Sequence, residues 1–372
     1  MKAVMGIIYT GEKDSFLREL TLQRAIAAVP VAGRYRVIDF FVSAMVNSGV
    51  RNVGVIMQKN YHSLMDHLGS GKEWDLHGKN DGLYILPPFL TRENVGVYNG
   101  SLDALHSNMN YLRRSRQDYV LFCNSLMVFN PNFNEMFHQL DDSCDAVLMY
   151  SKDPSLRRPE YGTYLDVDEN GMVTDLEMDP THPRYENTCM DTLFISKKLL
   201  VELMDRAFAH GYHGLMRDVL QRMIRDAGLK VKGYEYHDLC YRMDSIQSYF
   251  QFNLDMLNTE LRHNFFREDR PIYTKVRDEM PARYMDEAVA VNSMVADGCI
   301  INGRVEHSVI FRGVKIAKGA TVKNCVIMQD ARIDEGVYLE NCILDKQAHI
   351  QKDGRLIGPK SYPIVLSKNM VI

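Results

Sequence analysis

The sequence predicts an α/β protein in two parts: a mostly parallel sheet covered by helices, and a C-terminal parallel β-helix. Two observations support this prediction. Short apolar runs alternate with helical segments over the first part of the chain, as in sheets that are buried on both faces. After a charged stretch with prolines, a short pattern recurs every 17 residues. A chain of 372 residues can hold two or three domains.

The first strand is predicted over 3–9, and the loop that follows it is acidic. A loop that binds phosphate needs glycines, because its backbone N–H groups must approach the anion in strained conformations. Only Gly11 is present here, and Glu12 and Asp14 stand beside it. A carboxylate about 4 Å from a phosphate costs on the order of 4 kcal/mol at an effective dielectric of about 20. We interpret the loop as an acidic turn without a ligand.

Alternating and apolar runs predict the other elements of the first part. Two alternating runs flank Asn170 and Gly171, which is the signature of a β-hairpin. The helix predicted over 100–116 has an apolar face formed by Leu102, Leu105, Met109 and Leu112. The remaining predicted strands are 53–57, 82–88, 119–122, 145–150, 192–195 and 234–239. The remaining predicted helices are 42–48, 61–68, 198–208, 215–227 and 245–258.

The repeat predicts the β-helix. The pattern that begins at His307 returns at Asn324 and at Asn341, each time with aliphatic residues at its end. Small and β-branched residues at this spacing indicate stacked coils that bury one another, and three or four coils are expected. Cys325 and Cys342 occupy the same position one coil apart and are expected to fill the core. We predict an α/β domain over 1–262, a linker over 263–285 and a β-helix domain over 286–372.

The composition excludes several classes of protein. The formal net charge is −4, and no apolar run reaches the ~20 residues of a membrane helix. We therefore expect no nucleic-acid or membrane partner, and a cytoplasmic location. The seven cysteines form no CxxC pair and are expected to be reduced. The histidines lack the spacing of metal ligands, so surface or core roles are expected for His62, His67, His307 and His349.

Several motifs together resemble the signatures of the bacterial glucose-1-phosphate adenylyltransferase (ADP-glucose pyrophosphorylase) family. They are Arg24-Ala25, Ala28-Val29-Pro30, Gly33-Arg34-Tyr35-Arg36, Ile38-Asp39-Phe40, Ser43, Asn47-Ser48-Gly49 and Gly100-Ser101-Leu102-Asp103-Ala104. The resemblance implies a Rossmann-like (GT-A-like) nucleotidyltransferase domain followed by a left-handed β-helix. The run 63–76, with Leu86-Pro87-Pro88, resembles the GlgD-type regulatory subunit, which partners a catalytic subunit in some Gram-positive bacteria.

The chain departs from the family pattern at positions that carry catalysis. Phe16 stands where the family has a catalytic arginine, and Ile26 stands where it has a lysine. Asp179 stands at the lysine of the family's Glu-Lys-Pro motif, which holds the sugar phosphate. Basic groups must stabilise the transition state of nucleotidyl transfer, and these three side chains cannot. The resemblance therefore implies no catalytic residue at these degenerate positions.

The metal positions of the family are also changed. One metal-binding aspartate matches Ser125, and the second falls near Arg242, although Asp244 lies close enough to replace it. Mg²⁺ needs carboxylates to hold it against the phosphates. Serine is a poor substitute, and an arginine repels the metal. We expect no metal site in this chain.

Four arginines match positions where the family binds anionic effectors or lies close to them: Arg24, Arg34, Arg36 and Arg114. Guanidinium groups suit phosphates well, so these residues are predicted to bind an effector. An equally weighted alternative is that they form ion pairs with Asp39, Asp103 or a partner chain. Arg24 and Arg36 are expected to be exposed, so that replacing either with alanine leaves the fold nearly intact.

Together these features predict a regulatory, catalytically inactive subunit of ADP-glucose pyrophosphorylase in glycogen synthesis. The expected partner is a catalytic subunit, in a heterotetramer, and Mg²⁺ and ATP are expected at that subunit. The chain alone is expected to form a homo-oligomer and to bind no cofactor. A sugar phosphate or a nucleotide is the expected effector.

Two alternatives stay open. One is an active sugar-phosphate nucleotidyltransferase that uses Asp244 and other residues. The other is a β-helix acyltransferase with His307 or His349 as its base, although that activity usually needs more coils than the repeat shows.

Overall fold

The computed structural model describes residues 2–11, 14–78, 81–88 and 98–372. They form two compact units. The first unit holds Phe40–Cys240 and Arg270–Ile272 together with the N-terminal strand, and the second holds Tyr241–Asp269 and Tyr273–Ile372 together with residues 14–39. Both units are discontinuous in the sequence. The contiguous sequence domains 1–262, 263–285 and 286–372 stay a prediction.

The first unit is built on a nine-stranded sheet. Seven strands follow one another in the order Val173–Met178, Thr163–Val167, Asn187–Ser196, Tyr119–Asn124, Val4–Tyr9, Asn52–Ile56 and Leu83–Leu86. The strand Ala146–Ser151 pairs with Asn187–Ser196 and with the ninth strand, Val231–Glu235. The last of these begins three residues before the strand predicted over 234–239.

The N-terminal strand Val4–Tyr9 is fully buried and pairs in parallel with Asn52–Ile56 and Tyr119–Asn124. The predicted hairpin is confirmed, because Thr163–Val167 and Val173–Met178 pair antiparallel. The sheet is more mixed than predicted, since Asn187–Ser196 runs antiparallel to its neighbours. That strand follows a hairpin instead of a crossover helix, so it enters the sheet from the opposite end.

The helices of the first unit lie between the strands of this sheet along the chain. They are His62–Leu68, Ser101–Ser107, Met109–Arg114, Phe133–Gln139, Lys197–Ala209, the π-helix Leu215–Leu220 and Gln221–Ala227, with the later part of Val37–Asn47. The helix predicted over 100–116 is two helices broken at Asn108, whose side chain donates to the Ala104 carbonyl at 2.8 Å. Such local bonds compete with the helical pattern. The predicted apolar face is buried in the core all the same.

The second unit contains the left-handed parallel β-helix, with three sheets of five parallel strands. The first sheet holds Arg283–Tyr284, Ile300–Ile301, Lys315–Ile316, Arg332–Ile333 and His349–Ile350. The second holds Val289–Val291, Arg304–Glu306, Thr321–Lys323, Tyr338–Glu340 and Arg355–Ile357. The third holds Met294–Val295, Val309–Ile310, Val326–Ile327, Cys342–Leu344 and Ile364–Leu366.

The β-helix has five coils, more than the three or four predicted. Val309 pairs with Val326, and Val326 with Ile343, in the predicted register. The flanking coils depart from the 17-residue spacing, because Met294 pairs with Val309 and Leu344 with Leu366. Cys325 and Cys342 lie in the core, as predicted, and all seven cysteines are buried thiols.

The second unit also contains helices and the segment that follows the first loop. Its α-helices are Ile246–Asp255 and Thr259–Phe265, with the start of Val37–Asn47, and short 3₁₀ turns cover Asp14–Phe16, Arg18–Thr21 and Ile26–Ala28. Pro30–Val31 and Tyr35–Arg36 form a small antiparallel hairpin. Two side chains of Ile246–Asp255 fix it: the Tyr249 hydroxyl donates to the Pro30 carbonyl at 2.8 Å, and the Asn253 side-chain oxygen accepts from the Ala32 N–H at 2.9 Å.

Candidate functional site

A buried group of charges lies in the second unit and includes Arg24. The guanidinium of Arg24 donates to both carboxylate oxygens of Asp345, at 2.8 and 3.0 Å. Arg24 is 3% exposed and Asp345 is 1% exposed. Such a bidentate pair is among the strongest contacts between side chains. It holds the segment after the first loop against the last coils of the β-helix.

Lys346 lies next to this pair, and its backbone N–H also donates to Asp345, at 2.6 Å. Burial lowers the pKa of the Lys346 ammonium group to about 7. This pKa also includes the smaller lowering effects of Arg36, Arg24 and Arg277 and the opposing effect of Asp345. Three arginines therefore act electrostatically on Lys346, beside the Arg24–Asp345 pair. We call Arg24, Arg36, Arg277, Lys346 and Asp345 the cation cluster.

The structure separates the four predicted effector arginines. Arg24 and Arg36 belong to the cation cluster, and both are buried, so the expectation that they are exposed is wrong. Arg34 is exposed, and together with burial it lowers the pKa of Arg312. Arg114 lies in the first unit, exposed in the last turn of its helix. Binding of an effector by these residues stays a prediction.

Arg24 forms an ion pair, as the alternative predicts. Its partner, however, is Asp345 and not Asp39 or Asp103. Asp39 accepts a hydrogen bond from the backbone N–H of Arg36 at 2.9 Å. Asp103 accepts from the backbone N–H of Asn99 at 3.1 Å. Each of these two carboxylates therefore accepts a hydrogen bond from a nearby backbone N–H group.

Sequence reasoning missed Lys346, Arg277 and Asp345. A signal was present in the repeat. Asp345 occupies the buried position that Phe311 and Met328 fill in the two preceding coils. A carboxylate at an apolar core position requires a buried partner, and that requirement points to a charged site.

The first of the predicted metal positions lies in the first unit. Ser125 is fully buried directly after the strand Tyr119–Asn124. The neighbouring Asn124 donates from its side chain to Asp191 at 2.6 Å. A hydroxyl without charge therefore stands where the resemblance expects a metal-binding carboxylate.

The second predicted metal position lies in the second unit. Arg242 and Asp244 are both buried, and the Arg242 Nε lies 3.5 Å from the Asp244 Oδ2. The Ser248 hydroxyl donates to the other carboxylate oxygen at 3.3 Å. A carboxylate that neutralises a neighbouring guanidinium is a poor ligand for Mg²⁺. Since Ser125 also offers no charge, the residues present do not fit the metal that the family implies.

The other degenerate positions carry no group that could hold a phosphate. Ile26 is buried, and Phe16 is partly buried, each in a short 3₁₀ turn. In the first unit, Asp179 has a left-handed backbone (φ 50°) and accepts from the Gly162 N–H at 3.0 Å and from Arg217 at 2.7 Å. Its carboxylate would repel a sugar phosphate.

Statements about the first loop, metal ligands and membrane helices apply only to the residues that the structure describes. Glu12 and the side chain of Asp14, which made the first loop acidic, lie outside the described residues. Over the described ranges, no three His, Cys, Asp or Glu side chains lie together so that they could hold a metal ion. No helix in those ranges is long and apolar enough to cross a membrane.

The histidines of the β-helix have local partners. The Nδ1 of His307 lies 2.8 Å from the side-chain nitrogen of Asn292. The Nε2 of His349 lies 2.9 Å from the carboxylate of Asp334. Each imidazole ring therefore contacts a side chain of the adjacent coil.

Two family models match the chain. Residues 5–239 match the nucleotidyl transferase model, and residues 280–361 match the GlmU-like C-terminal hexapeptide model. The chain is 34% identical to the glycogen biosynthesis protein GlgD of Bacillus subtilis (strain 168) over 370 residues, which cover 99% of this chain and 96% of the relative. It is 35% identical to the GlgD protein of Geobacillus stearothermophilus over 86% of this chain and 82% of that protein.

An enzyme of the same organism is also similar. The glucose-1-phosphate adenylyltransferase of Geobacillus stearothermophilus is 30% identical over 87% of this chain and 84% of the enzyme. The match therefore extends over most of the chain. The chain belongs to the nucleotidyltransferase family that includes the GlgD proteins and the glucose-1-phosphate adenylyltransferases.

Proposed function

We propose that this protein is a regulatory subunit, inactive by itself, of a glucose-1-phosphate adenylyltransferase in glycogen biosynthesis. The complex converts ATP and glucose 1-phosphate to ADP-glucose and pyrophosphate, and the chemistry belongs to a catalytic partner subunit. One observation carries the proposal: Ser125 is uncharged and Asp244 is paired with Arg242, where the resemblance places the metal-binding carboxylates.

The chemistry of nucleotidyl transfer explains why this observation matters. A divalent cation must neutralise charge on the phosphates, and basic side chains must stabilise the transition state. Phe16, Ile26 and Asp179 supply no basic group at the corresponding positions. Mg²⁺ and ATP are therefore assigned to the partner subunit, and the alternative of an active enzyme that uses Asp244 is disfavoured by its ion pair with Arg242.

The regulatory part of the proposal rests on the cation cluster. Arg24, Arg36 and Arg277 all act electrostatically on the buried Lys346, and a phosphate-bearing effector would relieve the repulsion among these cations. Arg34 and Arg114 are assigned a secondary role, as exposed cations. To regulate the partner, effector binding must favour one state of the complex by a coupling of roughly 1–3 kcal/mol.

Assembly is assigned to the β-helix. Its outer strands present regular faces that suit symmetric contacts between chains. We propose a heterotetramer with the catalytic subunit, and a homo-oligomer when the chain is alone. Light scattering after size exclusion measures both states.

An assay of pyrophosphate release tests the proposal that the chain is inactive by itself. The purified chain should form no ADP-glucose above background with MgCl₂, ATP and glucose 1-phosphate. Mixed with a catalytic subunit, it should raise the activity of that subunit. Turnover by the chain alone within the usual range of about 1–10³ s⁻¹ would contradict the proposal and support the alternative of an active enzyme.

Effector titrations test the proposal that the cation cluster binds the effector. Mixed complexes that carry Arg36→Gln should need about tenfold more effector for half-maximal response, because one charged contact is lost. Complexes with Arg304→Gln, an exposed β-helix arginine paired with Glu306, serve as the control, and thermal melts report folding. Identical response curves for both variants would place the effector site outside the cation cluster.

A further inference from the structure

The β-helix has unpaired strand edges at its N-terminal end. The strands Arg283–Tyr284, Val289–Val291 and Met294–Val295 form its first coil, and each begins one of the three sheets. Over the ranges that the structure describes, each of them pairs only with the strand of the second coil. One edge of each strand therefore has no strand beside it. We call these three strands the open end.

The core of the β-helix is also uncovered at the open end. Tyr284 continues a column of core isoleucines, Ile301, Ile316, Ile333 and Ile350. Tyr284 is 52% exposed, whereas these isoleucines are at most 2% exposed. Ala290 precedes the buried Val305 in a second column and is exposed as well. A solenoid needs a terminal repeat with a polar outer face to remain soluble alone, and this coil exposes core positions instead.

The opposite end of the β-helix differs, because a following segment pairs with its last coil. The His349 N–H donates to the Met370 carbonyl at 2.8 Å, and the His349 carbonyl accepts from the Ile372 N–H at 3.0 Å. One sheet edge is therefore satisfied within the chain at that end, and none is satisfied at the open end by the residues that the structure describes.

Ala290 directs its backbone polar groups out of the open end. The Val289 N–H donates to the Gly303 carbonyl at 3.1 Å, and the Val291 carbonyl accepts from the His307 N–H at 3.0 Å. Successive residues of a strand bond to opposite sides, so the N–H and C=O of Ala290 face away from the second coil. In an antiparallel pair, two residues placed in this way exchange both of their hydrogen bonds.

The strand Val289–Val291 lacks the charges that protect an edge. Natural edge strands usually carry charged residues or proline, which prevent pairing with another chain. Each of the other four strands of this sheet contains at least one charged residue: Arg304–Glu306, Thr321–Lys323, Tyr338–Glu340 and Arg355–Ile357. Val289 and Val291 are instead 39% and 49% exposed. The strand at the edge is therefore the one without this protection.

The charges of the first coil do not repel an identical copy. Residues 283–297 contain four charged side chains, Arg283, Asp286, Glu287 and Asp297. Glu287 pairs with Lys318 at 2.6 Å, and Asp297 acts electrostatically on Arg312. Arg283 and Asp286 have opposite signs. Since Val289–Val291 is itself uncharged, an identical strand brings no like charge against it.

We propose that the open end binds the open end of a second copy of this chain, about a two-fold axis at Ala290. Val289–Val291 pairs antiparallel with its copy, so that Val289 lies opposite the copy's Val291 and the two cores join end to end. A two-fold contact uses the same surface on both chains, and Val-Ala-Val reads the same in both directions. The inference rests on the homo-oligomer proposed above and assigns its contact surface.

Light scattering after size exclusion tests this contact on the full chain, with thermal melts as the folding control. Ala290→Pro removes the outward N–H and places a ring at the edge. Its molar mass should be half that of the wild type at a concentration where the wild type is associated. Ile357→Lys changes an exposed residue in the last strand of the same sheet and should leave the mass unchanged.

Two charged variants keep the test independent of the proline. Val289→Lys/Val291→Lys sets like charges opposite each other in the pair, and Val289→Glu/Val291→Glu does the same with the other sign. Each variant alone should raise the dissociation constant at least tenfold in sedimentation velocity. An equimolar mixture of the two should associate at least tenfold more tightly than either variant alone, because lysine then faces glutamate.

The possible results separate this contact from the wider proposal. A wild-type chain that is monomeric at every concentration would overturn both the homo-oligomer and this contact. An oligomer that withstands Ala290→Pro and both charged variants would overturn this contact alone. If the variants lose only the mixed complex with a catalytic subunit, the open end binds that subunit, and pairing with a copy is refuted. The pyrophosphate assay tests the inactivity of the chain separately.

Discussion

The second unit contains two buried arginine–aspartate pairs that differ in their surroundings. Arg24 and Asp345 are 321 residues apart in sequence and share two hydrogen bonds at 2.8 and 3.0 Å. Arg242 and Asp244 are near neighbours in sequence, with one contact at 3.5 Å. The first pair lies beside Lys346, whose pKa is lowered mainly by burial and then by neighbouring arginines.

The comparison shows that burial of an ion pair does not by itself indicate its role. Removing two charges from water costs several kcal/mol per ion, and the pair recovers this only with good geometry. The Arg24–Asp345 pair has that geometry, and further cations act on the neighbouring Lys346. The Arg242–Asp244 pair instead uses the carboxylate that a metal would need.

The largest expected effect is the loss of Asp345. Replacing Asp345 with alanine leaves Arg24 buried beside other cations, and should lower the free energy of unfolding by about 3–5 kcal/mol. Asp334→Ala is the matched control, because Asp334 is a more exposed aspartate of the same β-helix that contacts His349. The control should lose about 0–1 kcal/mol. Denaturant unfolding of both variants measures the difference, and equal losses would contradict the importance of the cation cluster.

A smaller, pH-dependent effect is expected at Lys346. Its pKa is about 7 in the folded chain and about 10.4 in an unfolded one. Between these values the unfolded chain binds more protons, so this lysine destabilises the fold fully below about pH 7 and less as the pH rises. Lys346→Met should therefore be more stable than wild type by about 2–4 kcal/mol at neutral pH or below.

This advantage should vanish towards about pH 10, where Lys346 is neutral in both states. Unfolding measured across that range detects the convergence. Lys352→Met, at an exposed lysine that pairs with Glu335, is the control and should show no such trend. A difference between Lys346→Met and wild type that stays constant with pH would refute the depressed pKa.

The smallest expected effect concerns the Arg242–Asp244 pair. If Asp244 is occupied by Arg242, MgCl₂ and EDTA should each shift the melting temperature of the chain by less than about 1 °C, because a ligand stabilises only in proportion to its binding. A catalytic subunit with ATP is the positive control. A clear stabilisation of this chain by MgCl₂ would show that a metal binds in spite of the ion pair.

The sequence predicts those parts of the fold that follow from local periodicity. The β-helix register follows from Asn324 and Asn341, because each coil repeats the one before it. The hairpin follows from Asn170 and Gly171, whose backbone preferences favour a tight turn. The break at Asn108 was missed, because the apolar face continues across it and only a side-chain hydrogen bond interrupts the helix.

The candidate site was predicted only in part. The sequence alone shows that Phe16 and Ile26 carry no basic group, because residue type is enough to recognise a missing charge. The partner of Arg24 was not visible, because Asp345 is brought to it only by the folding of the β-helix. For the same reason the burial of Arg24 and Arg36 could not be predicted from local pattern.

The contact between Arg24 and Asp345 has a consequence for biosynthesis. A ribosome adds about 5–20 residues per second, so roughly 15–65 s separate the synthesis of these two residues. During that interval Arg24 has no access to its buried counter-ion, and the segment around it must stay hydrated or find a temporary partner. Docking of this segment is therefore one of the last steps in the maturation of a nascent chain, and a ribosome that stalls before Asp345 leaves the arginine exposed to chaperones and proteases.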